Sequence, residues 1–477
     1  MIKILYSDDV HLKVDCDAST AQELSDFFTF DVPGAKFMPA VRNRVWDGKI
    51  RLFNSVTRTV YAGLAEYIEE FCKARNYQCE VDPKLSALVP VSDKDIDDLA
   101  SSIGLTLEPR DYQKEAISYS MAKKRCLLLS PTASGKSLII YMLCRNYPMK
   151  KLLIVPTTGL VHQMASDFKE YGYNDYVHKI TAGADKTTDA EITVTTWQSI
   201  YKMPRKWFKQ YKVVIGDEAH LFKAKSLVSI MSKLEACPYR YGFTGTLDGS
   251  QTHRLVLEGL FGPVHQVTTT SELMKQQVLA SLKINICILG HSESNKKTMA
   301  RAKYRDEINY LVDNKPRNEF LVQMCDHIKG NTLMLFTFVD SHGKVLYNMA
   351  KDQDRKVFFV HGGVKGETRD QIRSIVEKED NALIIASYGT FSTGVNIRRI
   401  SNIVFAAPSK SKIRVLQSIG RGLRKVEDKD TVRLFDVVDD LRHKNWINFT
   451  LKHYTERLKI YNDEQFDYKI LSHNIGD

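Results

Sequence analysis

The sequence predicts an α/β protein with two parallel-sheet domains in tandem, a small N-terminal α/β module and a C-terminal helical segment. The main observation is that short apolar runs alternate with helical patterns, in two separate series. The first series comprises the runs at 126–129, 152–155, 192–195, 213–215 and 241–243. The second comprises the runs at 332–336, 357–360, 382–386, 403–406 and 432–435. Runs of this kind are typical of strands buried in a parallel sheet with helices between them.

Residues 1–90 are predicted to form the small α/β module. Thr20 and Glu23 have the spacing of a helix capping box, and an apolar stripe over 64–75 predicts a second helix. Asp47-Gly48, between flanks of alternating polarity, predicts a β-hairpin. Residues 91–109 are rich in aspartate and bracketed by prolines, so we expect a linker there.

The boundaries beyond this linker follow the apolar runs. We expect the first parallel-sheet domain at 110–270, a helical bridge at 271–330 and the second parallel-sheet domain at 331–440. The C-terminal helical segment then covers 441–477. Its predicted apolar face consists of Ile447, Leu451, Tyr454, Leu458 and Tyr461.

Composition narrows the classes of partner. The chain has 477 residues, enough for about three domains of common size. A formal net charge of +11 favours nucleic acid or a membrane surface as partner, although a merely soluble basic protein stays an alternative. No segment approaches the ~18–20 apolar residues of a membrane span, so no membrane partner is expected. The eight cysteines are scattered without metal-binding spacing, which indicates reduced thiols and a cytoplasmic location.

A glycine-containing loop follows the first apolar run. The loop Pro131-Thr-Ala-Ser-Gly-Lys-Ser137 precedes an apolar helix, as a phosphate-binding loop does. Lys136 is expected to contact the β and γ phosphates of ATP, and Ser137 to coordinate Mg²⁺. Ser130 stands where the strict pattern has its first glycine, which weakens the match. Backbone N–H groups around the phosphates are expected from Thr132, Ser134 and Gly135.

Two acidic residues follow a later strand of the same domain. Asp217 and Glu218 come directly after the run at 213–215, at the carboxyl edge of the predicted sheet. Asp217 can complete the Mg²⁺ site, and Glu218 can orient or deprotonate the attacking water. The alternative is a solvated acidic turn.

A third segment, Gln417-Ser-Ile-Gly-Arg-Gly-Leu-Arg424, lies in the second domain. Arg421 and Arg424 have the planar, permanently charged groups that pair with phosphate oxygens. An inserted arginine can accelerate phosphoryl transfer by ~10³–10⁵. Alone, the pair would be interpreted as an ordinary basic surface helix.

Together these segments resemble the motifs of superfamily 2 helicases, and the overall layout resembles the UvsW recombination helicases of T-even-type bacteriophages. The motifs span residues 110–424. The resemblance implies two RecA-like domains, ATP hydrolysis with Mg²⁺, and catalytic roles for Gln417, Arg421 and Arg424. It also implies adenine recognition by the segment from Arg110 to Gln113 and a nucleotide contact at Gly394. Thr244-Gly-Thr246 resembles the motif that links hydrolysis to movement.

The same resemblance implies nucleic-acid contacts in both RecA-like domains. The residues that match nucleic-acid-binding motifs are Thr157, Thr158, Thr195, Thr196, Trp197 and Thr393. Residues 36–58 add a basic stretch with interleaved aromatic residues, which can contact phosphates and stack on bases. Its predicted contact residues are Arg42, Arg44, Trp46, Lys49 and Arg51. The alternative is that the aromatic residues form the core of the module and the charges are solvated. A further basic cluster in the last helix, which includes Arg457, is the weakest candidate.

The resulting hypothesis is an ATP-dependent DNA helicase or translocase. By resemblance, it would unwind and branch-migrate forks, Holliday junctions, D-loops and R-loops in recombination, repair and replication, moving 3′ to 5′. The expected partners are single-stranded and branched DNA, RNA–DNA hybrids, and single-strand-binding or recombination proteins, with the chain a monomer in the host cytoplasm. The alternatives are an RNA or RNA–DNA helicase, an annealing or binding protein with an accessory ATPase, and the motor subunit of a restriction enzyme.

Overall fold

The computed structural model describes residues 1–86, 90–221, 224–247, 251–390, 397, 399–407, 411–423 and 430–476. Within these ranges, the side chains of residues 86, 224, 251–253, 412–414, 417 and 421 are not described. The chain divides into two compact units. One consists of Met1–Ser130 and Ser134–Thr268, and the other of Pro131–Ala133 and Thr269–Asp477.

The N-terminal module is a five-stranded sheet with two main helices. In spatial order its strands are Phe53–Asn54, Thr59–Tyr61, His11–Asp15, Ile2–Tyr6 and Cys79–Val81. Its helices are Ala18–Phe27, Pro39–Arg42, Ala65–Ala74 and Pro83–Ser86. The predicted apolar stripe is confirmed, since Leu64, Ile68, Phe71 and Cys72 are buried. The predicted capping box is wrong: the first helix is capped by Asp17, whose side chain accepts a hydrogen bond from the Thr20 N–H.

The predicted hairpin at Asp47-Gly48 is also wrong. Strand Lys49–Arg51 pairs antiparallel with Thr29–Asp31, far back along the chain. The residues between them contain a 3₁₀ turn at Ala35–Phe37 and the short helix Pro39–Arg42. The backbone N–H of Val32 donates to the Gly48 carbonyl at 2.9 Å and closes this excursion. Asp47-Gly48 therefore ends a long loop instead of joining two adjacent strands.

The stretch predicted as a linker contains the helix Asp93–Ser102. Ser92 and Asp95 form a reciprocal capping box at its start. Asp93 and Asp95 lie in the first turn, where carboxylates are stabilised by the positive end of the helix dipole. Two of the aspartates that suggested a linker therefore lie in the first turn of a helix.

The first seven-stranded sheet is entirely parallel. In spatial order its strands are Val177–Ile180, Ile192–Thr196, Lys151–Val155, Val213–Gly216, Tyr239–Thr244, Arg125–Leu129 and Val264–Gln266. The five predicted strands are confirmed, and the two unpredicted strands lie at the edges. The main helices of this part are Asp111–Lys123, Lys136–Asn146, Thr158–Glu170, Trp197–Ile200, Arg205–Phe208, Ala224–Met231 and Gln251–Phe261.

The second seven-stranded sheet is also parallel. In spatial order its strands are Val357–Val360, Leu383–Ser387, Thr332–Phe336, Asn402–Phe405, Thr431–Asp440, Ser281–His291 and Tyr468–Gly476. The helices of this unit are Thr270–Lys275, Glu293–Met299, Tyr304–Asp313, Lys315–His327, Lys344–Ala350, Gly366–Val376, Lys412–Gly422 and Phe449–Asp463. Two of these strands lie in segments that were predicted to be helical. Ser281–His291 lies in the predicted helical bridge, and Tyr468–Gly476 follows the helix of the predicted C-terminal helical segment.

The last helix contains a buried ion pair instead of a nucleic-acid contact at Arg457. Arg457 and Asp436 are both fully buried, and the Arg457 Nε lies 2.8 Å from a carboxylate oxygen of Asp436. The Tyr461 hydroxyl donates to the same carboxylate at 2.9 Å. Because Arg457 is buried in this ion pair, the interpretation of Arg457 as part of a nucleic-acid-binding cluster is wrong.

The module packs against helix Gln251–Phe261 within the same unit. The carboxylate of the buried Glu258 accepts from the Tyr67 hydroxyl at 2.5 Å and from Arg254 Nε at 2.6 Å. A Cβ added at Gly63 would lie 1.9 Å from the Glu258 carbonyl oxygen, so only glycine allows this approach.

A membrane-spanning helix must be both long and apolar, and none of the helices in the described ranges meets both conditions.

Candidate nucleotide and nucleic-acid sites

The phosphate-binding loop has the backbone that its sequence predicts. It follows strand Arg125–Leu129, and helix Lys136–Asn146 begins at Lys136. Ala133 and Gly135 both have left-handed backbone conformations, with φ of 67° and 79°. The Ser130 and Ser134 hydroxyls are buried and 2.6 Å apart. The serine at the position of the missing glycine therefore cross-links the loop.

The segment from Arg110 to Gln113 holds this loop in place through hydrogen bonds. The buried Gln113 accepts from the Arg110 backbone N–H at 2.9 Å and donates to the Ser134 carbonyl at 3.0 Å. The Tyr112 hydroxyl donates to the same carbonyl at 3.0 Å. The φ of 79° favours glycine at position 135, and a Cβ there would lie 2.3 Å from Gln113 Nε2 and displace the end of that side chain. Tyr112 was not among the predicted site residues, although it lies within the predicted segment.

Lys136, Asp217 and Glu218 lie together at the carboxyl edge of the sheet. The Lys136 Nζ is 2.7 Å from Glu218 Oε1, and both side chains are largely buried. Asp217 directly follows strand Val213–Gly216, and its Oδ1 accepts from the Glu218 backbone N–H at 2.9 Å. Burial raises the pKa of Asp217 to about 6, the positive charge of Lys136 opposes this rise, and Glu218 adds to it. A phosphate at Lys136, as the sequence predicts, would therefore compete with Glu218 for its ammonium group.

The donor atoms near the loop suit a magnesium ion. Ser137 offers a hydroxyl and Asp217 a carboxylate, the hard oxygen ligands that Mg²⁺ takes alongside water and phosphate oxygens. Among the residues that the structure describes, no cluster of three or more His, Cys, Asp or Glu side chains could hold a metal alone. The Ser137 hydroxyl lies 2.7 Å from the Tyr171 hydroxyl, a neighbour that the sequence analysis missed.

His220 joins the acidic segment to the Thr244-Gly-Thr246 segment. Its Nδ1 lies 2.6 Å from the Thr244 hydroxyl and 3.5 Å from Glu218 Oε2. The Thr244 hydroxyl in turn donates to the Thr246 carbonyl at 2.7 Å. This chain of contacts connects the residue expected to orient water with the segment expected to link hydrolysis to movement. Both segments were identified in the sequence, but the role of His220 was missed.

The predicted nucleic-acid contacts of the first parallel sheet occupy different environments. Thr157 caps helix Thr158–Glu170, with its hydroxyl accepting from the Leu160 N–H at 3.3 Å, and Thr158 is exposed. The Thr195 hydroxyl is buried and donates to the Ile180 carbonyl, so any contact from Thr195 would come from its backbone. Thr196 is buried, and Trp197 is partly buried and packs against the hydrophobic core.

The aromatic residues of the module's basic stretch lie in different environments. Phe53 is buried in the core, whereas Phe37 is 74% exposed. Trp46 is half-buried and donates from Nε1 to the Lys49 carbonyl at 2.9 Å. The Arg51 guanidinium lies 2.5 Å from the Asp47 carboxylate. The exposed basic residues of the predicted contact set are Arg42, Arg44, Lys49 and Arg51.

The structure describes the remaining predicted site residues to different extents. Thr132 lies in the phosphate-binding loop. Gln417 and Arg421 lie on helix Lys412–Gly422, of which the backbone but not these side chains is described. Thr393, Gly394 and Arg424 lie outside the described residues. The roles of these residues stay predictions.

Fold and site together define the class of protein. One parallel sheet carries a phosphate-binding loop and an Asp-Glu-Ala-His segment, and a second parallel sheet follows it in the chain. This combination is that of an ATP-hydrolysing helicase of superfamily 2. Residues 1–82 match the family described as DNA helicase UvsW, N-terminal. Residues 106–249 match type III restriction enzyme, res subunit, and residues 316–426 match the helicase conserved C-terminal domain.

Individual relatives narrow the class to a family. The chain is 35% identical to the ATP-dependent DNA helicase uvsW of Enterobacteria phage T4, over 99% of this chain and 100% of that protein. The crystal structure of T4 UvsW is similar with a TM-score of 0.53 and covers 99% of both chains. The DNA 3'-5' translocase XPB2 of Sulfurisphaera tokodaii is 23% identical over 70% of this chain and 82% of that protein. The chain belongs to the UvsW family of ATP-dependent DNA helicases.

Proposed function

We propose that this helicase uses ATP hydrolysis to move along one DNA strand and to remodel branched DNA. The substrates would be forks, Holliday junctions, D-loops and R-loops, and the movement 3′ to 5′. The family membership supports DNA as the partner, and the site geometry supports an intact ATPase. The observation that carries the proposal is the cluster of Lys136, Asp217 and Glu218 beside a phosphate-binding loop.

The hydrolysis step assigns a separate task to each of these residues. Backbone N–H groups at the start of helix Lys136–Asn146 hold phosphate oxygens, and Lys136 leaves Glu218 to contact the β and γ phosphates. Glu218, released from Lys136, accepts a proton from the attacking water. When bound, Mg²⁺ held by Ser137 and Asp217 neutralises phosphate charge.

The second unit is proposed to complete the reaction. Arg421 and Arg424 would stabilise the charge that spreads over the transferring phosphoryl group, with Gln417 beside them. Gly394 would contact the nucleotide. Because these residues belong to a different unit from Lys136 and Glu218, hydrolysis would depend on the two units closing on ATP. This dependence would couple each cycle of ATP hydrolysis to movement along the DNA strand.

The grip on DNA is proposed to involve both the motor and the N-terminal module. Thr157 and Thr158 start helix Thr158–Glu170, where N–H groups favour a backbone phosphate. Thr393 would contact the same strand from the second unit. The exposed basic residues of the module would contact phosphates of the branch. Because Glu258 and Gly63 join the module closely to the first parallel sheet, this basic surface would move with it as one body.

The family supports a proposal for the cellular setting. The partners would be single-stranded and branched DNA and RNA–DNA hybrids, with single-strand-binding or recombination proteins of the same phage. The protein would act as a monomer in the host cytoplasm.

A substrate survey tests the proposal. ATP hydrolysis and strand separation would be measured with single strands, duplexes, forks, four-way junctions and RNA–DNA hybrids of matched sequence. We expect branched DNA to give ATP-dependent strand separation. ATP hydrolysis that is stimulated by RNA but not by DNA would contradict the proposal and favour an RNA helicase. Strand annealing without a need for ATP would favour an annealing protein.

A further inference from the structure

A tyrosine outside the recognised motifs reaches the proposed metal ligand. The Tyr171 hydroxyl lies 2.7 Å from that of Ser137, at the end of helix Thr158–Glu170. The backbone N–H of Tyr171 donates to the Asp167 carbonyl at 3.0 Å. Its ring packs against that of Tyr141, with centroids 5.5 Å apart. Backbone and ring are therefore both held in place, and the hydroxyl is aimed at Ser137.

This contact has a specific use when a cation arrives. A serine hydroxyl that binds a cation turns a lone pair towards the metal and must donate its proton to another acceptor. The Tyr171 oxygen is at the distance and position to accept that proton. Partners that orient a metal ligand in this way typically change metal affinity by 10–100-fold.

The same helix begins at the proposed DNA contact. Thr157 caps its first turn, and the exposed Thr158 is its first residue. The helix has 13 residues, which corresponds to a length of about 20 Å. Its flanking residues thus lie at two different proposed sites, with Thr157 at the strand-binding end and Tyr171 at the metal-binding end.

We propose that Tyr171 is a positioning residue that orients Ser137 towards its cation and makes helix Thr158–Glu170 a link between DNA and the metal site. This inference rests on the proposed function, because it takes Ser137 as a metal ligand and Thr157–Thr158 as a DNA contact. A strand phosphate at the start of the helix shifts its end and so changes the affinity for the cation. By linkage, the cation with its nucleotide changes DNA affinity by the same factor.

The test compares Tyr171→Phe with Tyr141→Phe. The first variant removes the hydroxyl that contacts Ser137 and keeps the ring. The control removes a neighbouring buried hydroxyl that has no hydrogen-bond partner among the described residues. Binding of a fluorescent ADP analogue is measured without metal and then over a range of Mg²⁺ concentrations, so no turnover is required.

We expect Tyr171→Phe to bind ADP normally without metal and to need about 10–100-fold more Mg²⁺ for the metal-dependent gain in affinity. Tyr141→Phe should behave as the unchanged protein. An unchanged Mg²⁺ requirement in Tyr171→Phe, or an equal loss of metal-free ADP binding, would overturn the positioning role. If the unchanged protein itself gains no ADP affinity from Mg²⁺, the proposed metal site fails, and the role of Tyr171 is overturned with it.

The link is tested by repeating the Mg²⁺ titrations with saturating single-stranded DNA. In the unchanged protein and in Tyr141→Phe, DNA should shift the Mg²⁺ requirement. In Tyr171→Phe the shift should be reduced at least severalfold. A DNA shift of the same size in Tyr171→Phe would overturn the link through the helix.

Discussion

Replacing Glu218 with glutamine separates the catalytic role of its carboxylate from its role as the partner of Lys136. Glutamine keeps the shape and one acceptor oxygen but cannot take a proton from water. A positioned general base typically contributes 10²–10⁴-fold, so turnover should fall by about that factor. ATP hydrolysis at saturating ATP and DNA measures this loss.

Nucleotide affinity should change in the opposite direction. Lys136 makes a charge-assisted contact of 2.7 Å to Glu218, and phosphates bound by Lys136 would have to displace this contact. Hydrogen bonds that involve a charged group contribute about 1.5–3 kcal/mol. In Glu218→Gln the charged Lys136 still donates, but to an uncharged amide oxygen, so the bond falls towards the lower end of this range. The difference of about 1 kcal/mol corresponds to about fivefold tighter nucleotide binding in Glu218→Gln.

The matched control is Glu66→Gln, which neutralises another lysine–glutamate pair, with Lys123, away from the phosphate-binding loop. It should leave both turnover and nucleotide affinity unchanged. Turnover in Glu218→Gln within a fewfold of normal would refute Glu218 as the base. A loss of nucleotide affinity of tenfold or more would refute the competition between phosphate and Glu218 for Lys136.

Three further predictions follow from the same sites. Arg421→Ala should lower ATP hydrolysis by ~10³-fold or more while affecting nucleotide affinity less; a loss below tenfold would count against the arginine role. Because burial holds the proton on Asp217 until the pH exceeds about 6, Mg²⁺ must displace that proton in acid. The Mg²⁺ affinity measured with fluorescent ADP should therefore fall by up to about tenfold per pH unit below 6, and a constant affinity from pH 8 to 5 would contradict this. Joint neutralisation of the module's exposed basic residues should weaken DNA binding and flatten its dependence on salt, and unchanged values of both would make this surface structural. The residues to neutralise are Arg42, Arg44, Lys49 and Arg51.

Most of the strands that could be predicted from sequence are buried on both faces. Leu152–Val155, for example, is a continuous apolar run in the middle of its sheet. The interior strand Ser281–His291 escaped because Ser281, Lys283 and Asn285 interrupt its apolar residues. Three edge strands of the two parallel sheets also escaped, because one side of an edge strand is less constrained by burial, whereas the edge strand Val357–Val360 was predicted from its apolar run. Val177–Ile180 contains His178 and Lys179, and most of Tyr468–Gly476 is exposed. Neither has the apolar run that marks a central strand.

Site residues were predictable where chemistry depends on a local segment. Lys136 and Asp217 could be identified because the loop and the strand end each carry a recognisable sequence. The contacts of Ser137 with Tyr171 and of His220 with Thr244 join elements far apart in the chain. Their side chains meet only through tertiary packing, which no local spacing in a single sequence records.

Strand separation on a forked DNA tests the central claim most directly. Fork opening would be measured with ATP, with a non-hydrolysable ATP analogue, and with ATP and the Glu218→Gln protein, each beside a forked RNA of the same sequence. We predict opening of the DNA fork only with the unchanged protein and ATP. Opening with the analogue, opening by Glu218→Gln at the normal rate, or opening of the RNA fork alone would contradict an ATP-driven DNA motor.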